Sequence, residues 1–416
     1  METRNLDFNM SNLSDIKWVE IVGLFLGLFS SIASYGESSG SGSAGSVKAM
    51  REVPFNPPAR YLSLTPLVEK IGRDDVRKYL MLFLEKTHPS RLVGSPGHAK
   101  SAAVIIEMLK GFEATIAPSQ ANCCMVTQEI FTPDLARARH MYQSDFEREI
   151  VAKFKPSNPT YIKWKSFTDA TLKFLNTLAK VPGTNVVWER KGTIDPESIL
   201  ILGAHFDSMA HDSRSFKIME KAKTQGADDN ASGVAVAISL IRLFSQIPLP
   251  KTVRIVFYDF GQIGSLGAVA MAKNNKEMTK SPKFAGHIDL IRLGYDSRDQ
   301  DTEKKYGNMA LYLRDPDAGG FAQAQKLAHG FQQAGKRTVS DISFEIKAND
   351  FNQGNGAAYW DLDAPTLIFT QNMESDMNPN YHTVDDFAET LNYQTLYKSY
   401  QFIASGVLSW AFDIVK

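Results

Sequence analysis

Cysteine is almost missing from this 416-residue chain: the two present, Cys123 and Cys124, are adjacent. Neighbouring cysteines cannot staple distant segments, which excludes a disulfide framework, and two are too few for a thiolate metal cluster. An excess of charge is missing too. Lys plus Arg total 46 and Asp plus Glu total 46, for a formal net charge of +0. That removes the bulk electrostatic basis for binding nucleic acid or an anionic membrane surface. No apolar run reaches the length of a membrane-spanning helix; the strongest, IVGLFLGLF at 21–29, has the length of a signal-peptide core. Internal repeats, a GxxxxGKS/T phosphate loop and a GxSxG nucleophile elbow are also lacking, so the GSPG at 94–97 reads as a turn.

What remains is ordinary globular material, 43% hydrophobic and 22% charged, in a chain long enough for one large α/β domain. Residues 1–48 stand apart. They combine the apolar run with the Gly/Ser stretch GESSGSGSAGS and read as a hydrophobic leader and flexible linker, which implies export or membrane anchoring. From 49 to 416 the chain reads as one domain. Short β-rich runs recur (NVVW, SILILGAHF, TVRIVFYDF, HIDLIRLGY, MALYLR and APTLIFT), with helical stretches near 231–245, 265–275, 320–334 and 390–412. This βαβα order predicts a mixed, mostly parallel central sheet flanked by helices on both faces. Residues 133–182, rich in charges and aromatics without a strand pattern, read as a helical insertion.

Ligands of open α/β sheets bind beyond the carboxyl ends of the strands, so polar residues following apolar runs are the candidates. His205 and Asp207 end ILILGAHFDS; two apart on an extended chain, they point the same way, one able to ligate and the other to orient it. Asp228, Asp229 and Asn230 precede a helical run in GADDNASG, Asp289 lies inside an apolar β run, and His382 sits in the loop NPNYHTVDD.

In this order, HFDS, GADDNASG, IDLIRLG and YHTVDD resemble the M28 family of zinc peptidases, which includes bacterial aminopeptidases and is related to glutaminyl cyclases. The resemblance begins at RLVGSPGHAKSAA and runs to the C-terminus. It implies a zinc aminopeptidase-like fold and a two-zinc site that binds a peptide or protein N-terminus, with no nucleic-acid partner. By motif matching, Asp228 would bridge the metals, His205 and Asp289 would complete one site, His382 would help complete the other, and Asp207 would stand behind His205. Tyr359 and Trp360 fall where the family has aromatics near the substrate pocket, and Asp386 is similar to a family acid flanking the site.

The chain departs from the family where members carry two adjacent glutamates, in a segment reading roughly FDGEExGLxGS. Here it is FYDFGQIGSLGA, which places Gly261 at the general-base position and Gln262 at a metal-ligand position. Glycine cannot accept a proton, and losing a positioned base costs about 10²–10⁴ in rate. Glutamine offers no charge, so the site of Asp228, Gln262 and His382 should weaken, while His205, Asp228 and Asp289 should still hold one zinc. The expectation is a catalytically impaired homologue; the alternatives are an active zinc aminopeptidase using a variant base, for which Glu220 and Glu374 are nearby acids, and a glutaminyl-cyclase-like acyltransferase. If those two positions alone disable the site, restoring both glutamates should restore hydrolysis.

Overall fold

The computed structural model describes residues 63–113, 123–212, 217–297, 306–338, 342–348, 354–373 and 376–414. The leader and linker expected at 1–48 lie outside these residues. Eight strands form one sheet: β1 Cys124–Phe131, β2 Gly183–Arg190, β3 Asp195–His205, β4 Lys251–Tyr258, β5 Phe284–Leu290, β6 Tyr306–Leu313, β7 Ile342–Ala348 and β8 Thr366–Gln371. Their spatial order is β1-β2-β4-β3-β5-β8-β6-β7. The centre, β4-β3-β5-β8, is parallel; β1 and β2 add antiparallel on one side, and β6 joins β8 antiparallel on the other.

The central strands are buried on both faces, as β3 is from Ile199 to His205, which is why they read as continuous apolar runs instead of alternating ones. The longer helices are α1 Arg73–Lys86, α2 Pro96–Glu113, α3 Leu135–Phe146, α4 Pro159–Thr177, α5 Gly233–Ser245, α6 Leu266–Asn274, α7 Phe321–Thr338 and α8 Tyr393–Ala411. Of these, α5 is apolar nearly all round because it lies between the sheet and helices α1 and α8. On the opposite face α6 packs over β1 and β2. The mixed, mostly parallel sheet with helices on both faces is the architecture the βαβα order implies.

Two strands escape the pattern. β1 alternates between half-buried and exposed positions and β7 is the other edge, so neither carries the apolar run by which buried strands are recognised. Among the described residues no helix is long and apolar enough to cross a membrane. Cys123 and Cys124 are bonded to each other, linking nothing remote in sequence.

Between β1 and β2, Asn158 caps α4 by accepting from the Thr160 N–H at 2.8 Å, with Pro159 at its first position. Helices α3 and α4 form a satellite core, with Tyr142, Trp164, Phe167 and Leu175 packed around Phe260, Ile263 and Leu266. The segment after β4, which carries Gly261 and Gln262, is thus clamped from above by an element that precedes β2 in the chain.

Candidate active site

The carboxyl ends of β3, β4, β5 and β8 open into a cleft of about 380 Å³. His205, Asp229, Gly261, Gln262, Ile291 and His382 line its floor, and α3 and α4 contribute its roof through residues such as Met141, Tyr142 and Phe167. Most floor residues follow a strand end or a helix start: His205 closes β3, Gly261 and Gln262 follow β4, Ile291 follows β5, and Asp229 leads into α5.

At the centre, Asp229 lies between two histidines. His205 Nε2 is 3.4 Å from its Oδ1 and His382 Nε2 is 3.0 Å from its Oδ2. Gln262 closes the remaining gap. Its Nε2 donates to Asp229 Oδ2 at 2.6 Å, while its Oε1 lies 2.8 Å from His382 Nε2. The carboxylate can only accept, so the amide nitrogen must face Asp229 and the amide oxygen must face His382. His382 Nε2 therefore faces two oxygen atoms, one from Asp229 and one from Gln262.

Behind His205, Asp207 accepts from the N–H groups of Gly261 and Gln262 at 2.8 and 2.9 Å. His205 Nδ1 lies 3.1 Å from the Asp207 carbonyl oxygen and 3.4 Å from its carboxylate Oδ1. Burial pulls the His205 pKa down, but hydrogen bonds to Asp207 and Asp229 outweigh it and raise the value to about 10. Burial would raise Asp229, yet His205 and His382 hold it well below the usual carboxylate range. Because the folded pKa of His205 exceeds its ordinary 6.5, its contribution to stability is complete below about pH 6.5 and disappears as pH rises through about 10. Urea unfolding between pH 6.5 and 10 should show stability falling with pH, and His205→Gln should flatten that slope; an unchanged slope in the variant would contradict the assignment.

Several sequence expectations need correction. Asp228, expected between the metals, faces away: its oxygens accept from Gly294 N at 2.9 Å, Gln371 Nε2 at 2.5 Å and Asn378 Nδ2 at 3.0 Å. Its neighbour Asp229 is the acid between the histidines, because consecutive residues in this turn point in different directions. Asp289 is likewise engaged elsewhere. Its carboxylate accepts from Asn355 N at 2.6 Å, Asn355 Nδ2 at 3.1 Å and Gly356 N at 3.1 Å, anchoring the loop before β8, and burial raises its pKa to about 6. The residues that this part of the chain presents to the cleft are Ile291 and Arg292. Tyr359 and Trp360 are core, not pocket: Tyr359 is fully buried, bonded to Tyr258 Oη at 2.8 Å and stacked on His287, and Trp360 packs with Tyr312 and Ile368.

The surrounding turns are held by buried polar groups. Asp386 accepts from the N–H groups of Asp228 and Asp229 at 2.9 and 3.0 Å, and burial raises its pKa to about 8. Arg91, in the RLVGSPG segment, donates to the carbonyls of Phe206, Gln225 and Gly226, tying the end of β3 to the turn before Asp229. His98 and Asp259 form a buried pair at 2.7 Å.

The sequence profile of Peptidase family M28 matches residues 185–407, more than half of the chain. The chain belongs to peptidase family M28. Among relatives, the uncharacterized protein YfbL of Escherichia coli (strain K12) is 30% identical over 232 residues, 52% of this chain and 67% of that protein. A probable zinc metalloprotease of Phaeosphaeria nodorum is 30% identical over 163 residues, 37% of this chain and only 32% of that protein. Among solved structures, the LapA aminopeptidase of Legionella pneumophila superposes with a TM-score of 0.56 at 11% identity, covering 84% of this chain and 74% of that one; this likeness is one of fold.

The donor set of this M28 chain does not fit a paired metal centre. Zinc takes three or four N, O or S ligands, and the three potential donors here, His205, Asp229 and His382, bond to one another and to Gln262. Among the described residues no three His, Cys, Asp or Glu side chains stand in a metal-holding arrangement. The one-zinc set expected from His205, Asp228 and Asp289 is not assembled, since both carboxylates face other partners.

Proposed function

We propose that this M28 chain keeps the family cleft as a binding site for a peptide or protein N-terminus and does not hydrolyse peptide bonds through metal-activated water. The observation that carries the reading is the Gln262 amide bonded to both Asp229 and His382, which fills with hydrogen bonds the space a metal would occupy. Gly261 supports it: a Cβ at this position would lie 2.2 Å from His205 Cβ, so the family's base position is not merely without a side chain but closed by a neighbouring one. The cyclase alternative uses the same Gln262 and His382 and fails with them.

A second reading, hydrolysis with a different base, has one observation in its favour. Asp145 of α3 lines the cleft, and burial raises its pKa to about 6, a range suited to a general base. Its Oδ1 accepts from Arg148 at 2.7 Å. Of the acids expected to rescue activity, Glu220 is exposed and outside the cleft wall, and Glu374 lies outside the described residues.

The test is metal content together with turnover. The purified chain, dialysed against zinc, should retain less than a stoichiometric amount of the metal and release no amino acid from N-terminal amide substrates. Chelator-sensitive turnover that disappears in Asp145→Asn would overturn the proposal in favour of the variant base. A membrane or export role for the leader remains part of the same proposal and is read from the localisation of the full chain.

A further inference from the structure

Among the described residues, the cleft wall holds one guanidinium to which no carboxylate is hydrogen-bonded. Arg292, two residues past β5, is 3% exposed and lines the cleft beside Ile291. Its Nη2 rests on Met373 Sδ at 3.0 Å and its Cζ lies 4.6 Å over the Tyr381 ring, while Nε and Nη1 are closed off from solvent and have no hydrogen-bond partner among the described residues. The other two arginines of the cleft are paired, Arg137 with Asp361 and Arg148 with Asp145. Asp228, whose charge Arg292 does feel, has its oxygens taken up by Gly294, Gln371 and Asn378.

The backbone holds Arg292 in place regardless of its own side chain. Its φ is +53, uncommon for a residue other than glycine. Three successive N–H groups are fastened to the GADDNASG turn: Arg292 N to Asn230 Oδ1, Leu293 N to Ser232 Oγ and Gly294 N to Asp228 Oδ1, at 3.1, 2.9 and 2.9 Å. A thioether and an aromatic face accommodate a guanidinium without neutralising it. Buried guanidinium donors left without a hydrogen-bond partner are costly to keep, and a guanidinium offers a fork of donors matched to a carboxylate.

We propose that Arg292 is a specificity residue that receives a carboxylate of the ligand in this cleft. The inference rests on the cleft being a peptide-binding site: the carboxylate belongs to an acidic first residue or to the C-terminus of a short peptide.

Calorimetric titration of the full chain separates the sources. Asp-Leu-Phe-amide is compared with Asn-Leu-Phe-amide, and Leu-Leu-Phe with its C-terminal amide. The carboxylate member of one pair should bind at least about 10-fold tighter, the scale of a charge-assisted hydrogen bond, and Arg292→Gln should abolish the difference. Equal affinities within both pairs, or a preference that survives Arg292→Gln, would overturn the proposal while leaving peptide binding intact. Thermal shift with succinate gives an arm independent of peptides: succinate should raise the melting temperature of the natural chain and not that of Arg292→Met. If succinate does so and no peptide binds, the carboxylate subsite stands and the peptide reading falls. If Arg292→Met melts well below the natural chain, Arg292 is a structural cation and the proposal fails.

Discussion

Gln262→Glu should melt below the natural chain in the presence of a chelator and recover the loss when zinc is added. In the natural chain the amide nitrogen of Gln262 donates to Asp229 Oδ2 at 2.6 Å. A glutamate there loses that hydrogen bond and sets a second carboxylate against the first, a change worth about 1–3 kcal/mol for a buried polar group left without its partner. Like charges at this separation also force one carboxyl to remain protonated, so the loss should grow as pH rises. The same substitution completes a donor set of His205, Asp229, His382 and the new carboxylate at position 262, in which a divalent cation would relieve the repulsion it creates. Zinc at a thousand times its dissociation constant contributes about 4 kcal/mol, enough to return the variant to or above the stability of the natural chain. Urea unfolding with EDTA and with zinc measures both effects. A variant as stable as the natural chain without metal, or indifferent to zinc, would show that Gln262 does not stand in for a cation.

Gly261→Glu should destabilise the fold and restore no hydrolysis, even when combined with Gln262→Glu. A Cβ at 261 would stand 2.2 Å from His205 Cβ and 2.5 Å from its Cγ. The His205 Cβ is close to the backbone of β3 and cannot swing aside as the tip of a long side chain could, so the strand or the loop must move. Overpacking of this kind costs about 1–3 kcal/mol, and here it also disturbs the N–H groups of residues 261 and 262 that Asp207 holds. This replaces the expectation that returning both glutamates is sufficient. Denaturation of each single variant and the double variant, with an aminoacyl-amide assay on the last, decides the matter; a stable double variant that turns over substrate would refute the steric account.

The two substitutions test different things. At 262 a glutamate matches the glutamine in shape and exchanges a hydrogen bond for a charge. At 261 any side chain meets the Cβ of His205. The first is accommodated in place, and the second requires repacking.

How much of this was legible beforehand varies by residue. The central strands announced themselves as apolar runs because parallel strands are covered on both faces, whereas β1 and β7, at the edges, did not. His205, Gln262 and His382 were found from their segments, and the structure brings them to the same cleft. Asp229 was passed over for Asp228, since a doublet of acids before a helix carries no mark of which member turns inward; the hydrogen bonds of Gly294, Gln371 and Asn378 to Asp228, from segments 66 or more residues away, make that choice. Asp289 and Tyr359 were named as site residues because both sit at the right place along the chain, and both turn out to support the loops and core around it. Arg292 could have been flagged as a charge inside an apolar β run, but the absence of a carboxylate bonded to it among the described residues is a property of the folded surroundings.

Residue identity and order along the chain were enough to establish the family and the fold class, because each of these is a statement about which residue stands where. Which acid lies between the histidines, how tightly His205 packs against position 261, and an arginine on the cleft wall with no carboxylate bonded to it among the described residues all waited for the folded chain. Those are matters of side-chain direction and of contacts between segments remote in sequence, set by packing and hydrogen bonding that no local pattern encodes.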